Sequence, residues 1–128
     1  MKLSRKILVN AFLLSVCAMT FTVPASAQEA PLSYLASPDV YKLVSENDHF
    51  RVIIATWKAG QTDNLHSHSR AAVYRLTDCR AQVAGPSGKT LGITEVKAGS
   101  VVLQEAIPSH SFSNMGTTDC QILIVETK

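Results

Sequence analysis

The sequence predicts an all-β domain, arranged as a sandwich or a barrel. Three observations carry this. Short runs of β-branched, aromatic and aliphatic residues recur from residue 39 onward. Breaks containing Gly or Pro separate them at regular intervals. No stretch sets its apolar residues at the 3.6-residue period of an amphipathic helix.

Residues 28–38 hold two prolines and several small residues, and read as a linker or N-terminal arm. Residues 40–44 (VYKLV) are the first β-rich run, and Glu46-Asn47-Asp48 turns the chain. Residues 50–57 (FRVIIATW) make a strand by length and residue type. Lys58-Ala59-Gly60-Gln61 breaks it, and a short segment follows at 65–68. Residues 71–76 are a strand, Thr77-Asp78 a turn, and 79–84 the returning strand. Gly85-Pro86-Ser87-Gly88-Lys89 reverses the chain again. Residues 90–96 form a strand with Leu91, Ile93 and, after one slip, Val96 on its apolar positions. Lys97-Ala98-Gly99 is the next turn; 101–103, 110–114 and 121–126 complete the set. There is no internal repeat, no low-complexity run and no sign of a second domain.

Residues 1–27 have the pattern of a secretory signal peptide. Lys2, Arg5 and Lys6 precede a mostly apolar run, and Ala25-Ser26-Ala27 is a small-x-small cleavage site. Asn10 and Ser15 interrupt a run already short for a membrane span. Val16 before Cys17 argues against lipidation. Cleavage after Ala27 places the mature protein in the periplasm or outside the cell, with no membrane association. The leader takes three of the 12 basic residues and none of the 10 acidic ones, leaving a net charge of −1. No basic face remains for nucleic acid and no polybasic amphipathic helix for a lipid surface.

A chain of this length builds one modest core. Two cysteines remain beyond the leader, Cys79 and Cys120. In an oxidising compartment a disulfide is the expected state, two free thiols or a metal pair being the lesser alternatives.

Three of the four histidines fall into two clusters, His66-Ser67-His68 and His110-Ser111-Phe112-Ser113-Asn114. Residues two apart on a strand share a face, so His66 and His68 aim at one point to which a second strand can deliver His110. Imidazole is the commonest ligand for transition metals, and three of them leave coordination positions open. A surface location is the alternative, and it is the better reading for His49 in its polar Asn47-Asp48-His49 turn.

These motifs resemble those of the cupins. Gly60 stands six residues before His66 and eight before His68, and Gly99 stands eleven before His110, which Asn114 follows at the family's spacing. The resemblance covers residues 39–128, nearly all of the chain beyond the leader. It implies a single antiparallel jelly-roll barrel with a metal near its open end. One departure matters: the family's fuller pattern adds a Glu shortly after His-x-His, and residues 69–77 contain no acid. The resemblance therefore implies a three-His site for one divalent transition metal (Fe, Mn, Ni, Cu or Zn), as in some cupin dioxygenases. Its ligands would be His66, His68 and His110. A small-molecule substrate or ligand and a homodimer formed through edge strands are also implied, with the arm before Asp39 available for pairing. So is a Cys79–Cys120 bridge, because the strand at 71–76 lies beside the last strand in that topology.

Two functional classes stay open: a metal-dependent oxidoreductase, and a non-enzymatic ligand-binding, structural or sensory module whose metal site is degenerate or empty. Candidate substrate contacts are Arg75, Tyr74 and Phe112. An inward Arg75 would share the face of Ala71 and Val73 and grip a carboxylate in a bidentate pair. An exposed Arg75 on the outer face is the preferred reading, and wall packing explains Phe112 and Trp57 without a ligand. Ser67, Ser111 or a backbone carbonyl are the candidates for orienting the imidazoles.

Overall fold

The computed structural model describes residues 29–128; the leader and its cleavage after Ala27 lie outside them. Nine strands form two facing antiparallel sheets. The first five-stranded sheet contains β1 (Tyr41–Glu46), β2 (Phe50–Trp57), β9 (Cys120–Thr127), β4 (Ala71–Arg75) and β7 (Val101–Gln104), in that order. The second has the order β3 (His66–His68), β8 (Ile107–Asn114), β5 (Cys79–Ala84) and β6 (Thr90–Val96). This is the all-β jelly roll that the motifs imply.

Alternation fixes which side of each strand faces in. In β9 every second residue, Cys120, Ile122, Ile124 and Glu126, is buried. Ile53, Ala55 and Trp57 do the same in β2, and Ala71 and Val73 in β4. The core is the interleaving of these side chains with Ala81 and Phe112 from the opposite sheet. Trp57 and Phe112 meet with ring centroids 4.3 Å apart. β2 and β9 pair without a slip from Phe50↔Thr127 to Trp57↔Cys120, which makes them the spine of the larger sheet.

The motif glycines have a backbone reason. Gly60 and Gly99 take φ of 75° and 78°, a left-handed conformation that residues with a Cβ rarely adopt. Gly60 lies in the turn that follows β2, and Gly99 in the turn that leads into β7.

The arm differs from a linker. It contains a one-turn helix, α1 (Ser33–Ala36), and is tied to the barrel throughout. Ser67 N donates to Pro31 O at 2.8 Å and Ser67 Oγ to Ala30 O at 2.7 Å. Leu32 bridges to Ser67 in parallel, and Asn64 is held by Ser37 Oγ and Ala36 O. The arm thus covers the open edge of its own chain's β3, and its pairing groups there are already satisfied.

β4 and β9 run antiparallel, with Arg75 opposite Ile122. Cys79 lies just beyond one strand and Cys120 opens the other, so the chain itself brings them together. They form a disulfide with Cα atoms 5.3 Å apart, closing a separation of 41 residues. Closing a loop of that length stabilises by about 3–4 kcal/mol on a chain-entropy account. A Cys79→Ser/Cys120→Ser variant should lose stability of that order in a denaturant titration. Native protein should be two hydrogens lighter by mass than after reduction; free thiols in the folded protein would contradict the bridge.

Candidate metal centre

β3 and β8 build the site between them. His66 is paired directly across from His110, and a register shift then sets His68 opposite Ile107. Alternation sends His66 and His68 inward while Ser67, between them, turns outward to the arm. One ligand nitrogen from each of His66, His68 and His110 lies within 4.8 Å of the others. The rings stand 4.4 to 5.3 Å apart, centroid to centroid.

The protonation pattern favours a cation among them. His66 Nδ1 donates to Asn64 O at 2.8 Å, and His68 Nδ1 faces Glu126 Oε2 at 3.4 Å. Fixing the proton on Nδ1 leaves Nε2 of both rings as a lone pair. Those two Nε2 atoms are 3.1 Å apart, close to the span of two nitrogens each ~2.0–2.1 Å from a shared ion. His110 Nε2 is sealed from solvent with no hydrogen-bond partner. Two facing lone pairs beside an orphaned nitrogen fit a metal ion, which satisfies all three. The acceptors that orient the rings are Asn64 O and Glu126. Ser67, one of the sequence candidates, faces away.

Two acidic residues that no motif indicated support this cluster. Glu126 is fully buried, accepts from Ser69 N at 3.2 Å and touches the far nitrogen of His68. It is therefore an outer support and leaves the missing family Glu unreplaced. The alternation of β9 would have placed it inward with Ile122 and Ile124. Asp63 sits in the loop before β3, where no periodicity reaches. Its oxygens accept from Tyr41 Oη at 2.8 Å, Trp57 Nε1 at 2.9 Å and Phe112 N at 2.7 Å, and lie 3.6 Å from His66 Nδ1. Tyr41 Oη is also 3.0 Å from His66 Nε2. Burial, and next the nearby Asp63, raise the Tyr41 pKa well above the ordinary phenol value, so it stays protonated.

A cavity of about 170 Å³ extends from the imidazoles into the barrel. His68 and His110 line one part of it; Trp57, Val73, Phe112, Ile122 and Ile124 supply apolar walls. Its size is below the ~300–1,000 Å³ of drug-sized sites, which suits a small molecule. The outer-face reading of Arg75 is corrected. It follows Ala71 and Val73 on the inner face of β4 and lines the cavity. Tyr74, its neighbour, points outward with 42% of its surface exposed and does not line the cavity, because successive strand residues face opposite ways. Phe112 is in the cavity wall. Asn114 holds the Trp57–Lys58 and Thr118 carbonyls and stays away from the imidazoles. Glu105 pairs with Arg70 at the surface.

No protein-family model matches the chain, and no curated protein matches it by sequence. Solved structures do. A cupin domain from Bordetella pertussis has 17% identity and a TM-score of 0.63, covering 78% of this chain and 97% of that one. A RmlC-like cupin family protein with a double-stranded β-helix fold from Methanocaldococcus jannaschii has 10% identity and a TM-score of 0.55, covering 88% and 93%. The polyketide cyclase RemF from Streptomyces resistomycificus has 18% identity and a TM-score of 0.53, covering 85% and 80%. The likeness at these identities is one of fold: the described residues take the cupin fold.

Burial, then the adjacent His66 and His68, push the His110 pKa down to about 3. Burial also lowers that of His66, with Asp63 opposing. The unfolded chain takes up protons near ~6.5, whereas the folded site refuses them. Metal-free protein should therefore be most stable above that value and weaken as pH falls from about 6.5 towards 3. The slope is up to about 1.4 kcal/mol per pH unit for each such imidazole. Denaturant midpoints of chelator-treated protein at pH 7 and pH 5 measure this; equal midpoints would mean that the rings protonate in place.

Proposed function

We propose that the protein is an exported small cupin that binds one divalent transition metal through His66, His68 and His110 and, in the manner of a dioxygenase with dioxygen as the oxidant, oxidises a small molecule admitted by the cavity. The observation that carries the metal assignment is the convergence of three buried imidazoles, two of them with their remote nitrogens committed to Asn64 O and Glu126. Neutral imidazoles leave a divalent ion its full charge, and a bound ion supplies Lewis acidity with open coordination positions. Iron, manganese, nickel, copper and zinc all suit such a donor set, and affinity follows the Irving–Williams order.

The remaining roles belong to the chain. Asn64 O and Glu126 orient the rings, and Asp63 stands beside His66. Tyr41 keeps its proton and presents a phenol beside His66. The apolar walls keep the space around the imidazoles poor in water, which strengthens every electrostatic contact made there. Export is supported by the buried Cys79–Cys120 bridge, since such bonds persist in oxidising compartments. Among the described residues no helix is long and apolar enough to cross a membrane.

The second reading is ligand binding without turnover. It is favoured by the lack of any carboxylate among the three clustered ligands, Glu126 being held on the remote nitrogen. The two readings differ in the metal: an enzyme holds a redox-active ion with an exchangeable water, whereas a binding barrel holds zinc or nothing.

Elemental analysis of protein purified from its own compartment should find about one ion per chain, and His110→Ala should lose most of it. Sub-stoichiometric metal in the native protein, or unchanged metal in the variant, would remove the ligand assignment. Glu126→Gln should weaken metal binding by about 10–100-fold, the usual effect of losing a partner that orients a ligand. Competition with a chelator of known affinity reads this directly.

A further inference from the structure

We infer that the cavity selects a small monocarboxylic acid, with Arg75 gripping its carboxylate and an apolar body lying toward the imidazoles. The inference takes the cavity as the way to the metal centre, and in that respect rests on the reading above.

The argument begins with the arginines. The described residues contain four. Arg51 pairs with Glu46, Arg70 with Glu105 and Arg80 with Glu95. Arg75 alone has no acidic partner among the described residues, and it alone lines the cavity. Its Nε is shut off from solvent without a hydrogen bond. Burial lowers its pKa, with no neighbouring acid acting against that. Arg75 is half-buried as a whole, but its Nε, closed off and unpaired, carries a desolvation cost. A ligand that brings its own anion removes the cost.

Position and shape narrow the class. Arg75 stands opposite Ile122 on β9, while the His68 support, Glu126, stands opposite Ala71. Four residues of strand separate the two levels, about 13 Å at the Cα atoms. The cavity touches both His68 and Arg75, so a molecule lying along it presents one end to each. Between them the walls are Val73, Ile124 and Phe112, which suit a hydrocarbon or aryl body. A single planar fork matches one carboxylate in a bidentate pair. A phosphoryl group, with its larger charge, would find no further Lys or Arg beside Arg75 in the cavity wall.

Trp57 is the chain's one tryptophan and lines the same cavity, so its fluorescence reports occupancy. The test titrates propionate, 2-methylpropionate and benzoate against native protein, each beside its neutral amide. Arg75→Gln and Arg75→Lys follow, with metal content measured in every sample. At least one acid should bind about tenfold or more tightly than its amide, the usual advantage of a charge-assisted hydrogen bond. Arg75→Gln should bring the pair to near parity with metal content unchanged, and Arg75→Lys should restore part of the preference. Acids and amides that behave alike, including a complete lack of binding by either, overturn the inference. So does an acid preference that survives Arg75→Gln. Metal content answers the separate question: protein found without metal defeats the metal-centre reading and leaves the acid preference to be judged by fluorescence alone.

Discussion

Asp63 is closed off from solvent and accepts hydrogen bonds from three elements at once: the phenol of β1, the indole of β2 and a backbone amide of β8. It also stands beside the remote nitrogen of His66. One side chain in a loop thus ties the larger sheet to the smaller one at the level of the imidazoles. Each buried donor left without an acceptor costs roughly 1–3 kcal/mol, so the three together exert a strong pull on the loop before β3. The convergence of His66, His68 and His110 depends on that loop, because its conformation sets where β3 begins and which residue faces His110.

Much of this was legible in the sequence. Length and residue type marked residues 50–57 as a strand, the apolar run at 121–126 marked the last one, and the glycine–histidine spacings carried the cupin resemblance. The histidine triad was legible because strand parity alone makes residues 66 and 68 converge, and the resemblance supplied 110. The disulfide followed from the implied adjacency of two strands. What stayed hidden lay where parity gives no signal or was left unused. Asp63 occupies an irregular loop, so its role is visible only once the partners from β1, β2 and β8 are in place. Glu126 obeys the inward parity of β9, yet a carboxyl at a strand end looks like a solvated one until His68 is seen beside it. The docking of the arm stayed hidden because proline and small residues look alike in a linker and in a segment held by backbone hydrogen bonds. At Arg75 charge favours the outer face and strand parity the inner one, and parity prevails.

The charges around the centre form a graded arrangement. Three imidazoles occupy the middle, and two acidic side chains stand one layer out, beside the remote nitrogens of His66 and His68. Negative charge placed there polarises the rings and makes them better donors without occupying a coordination position. The cationic group, Arg75, lies two strand positions beyond Val73 on the same inner face, further along the apolar wall from His68. A bound molecule would experience a dipolar channel: an anion-seeking end, a hydrocarbon middle and a metal-seeking end. That ordering comes from the inward residues of β3, β4 and β8.

The strap at residues 30–32 has a consequence for assembly. A three-residue strand on a sheet margin is ordinarily the easiest place for a foreign β-segment to add, yet β3 has its outer flank occupied by its own chain through Pro31 O, Ala30 O and the Leu32 bridge. The metal-bearing margin is therefore barred to strand addition. Growth of either sheet by another polypeptide is confined to β1, β7 and β6, and the last two carry Leu91, Ile93, Val101 and Leu103 on their exposed surface. The fold thereby separates the place where chemistry would occur from the places where molecules of this kind can join.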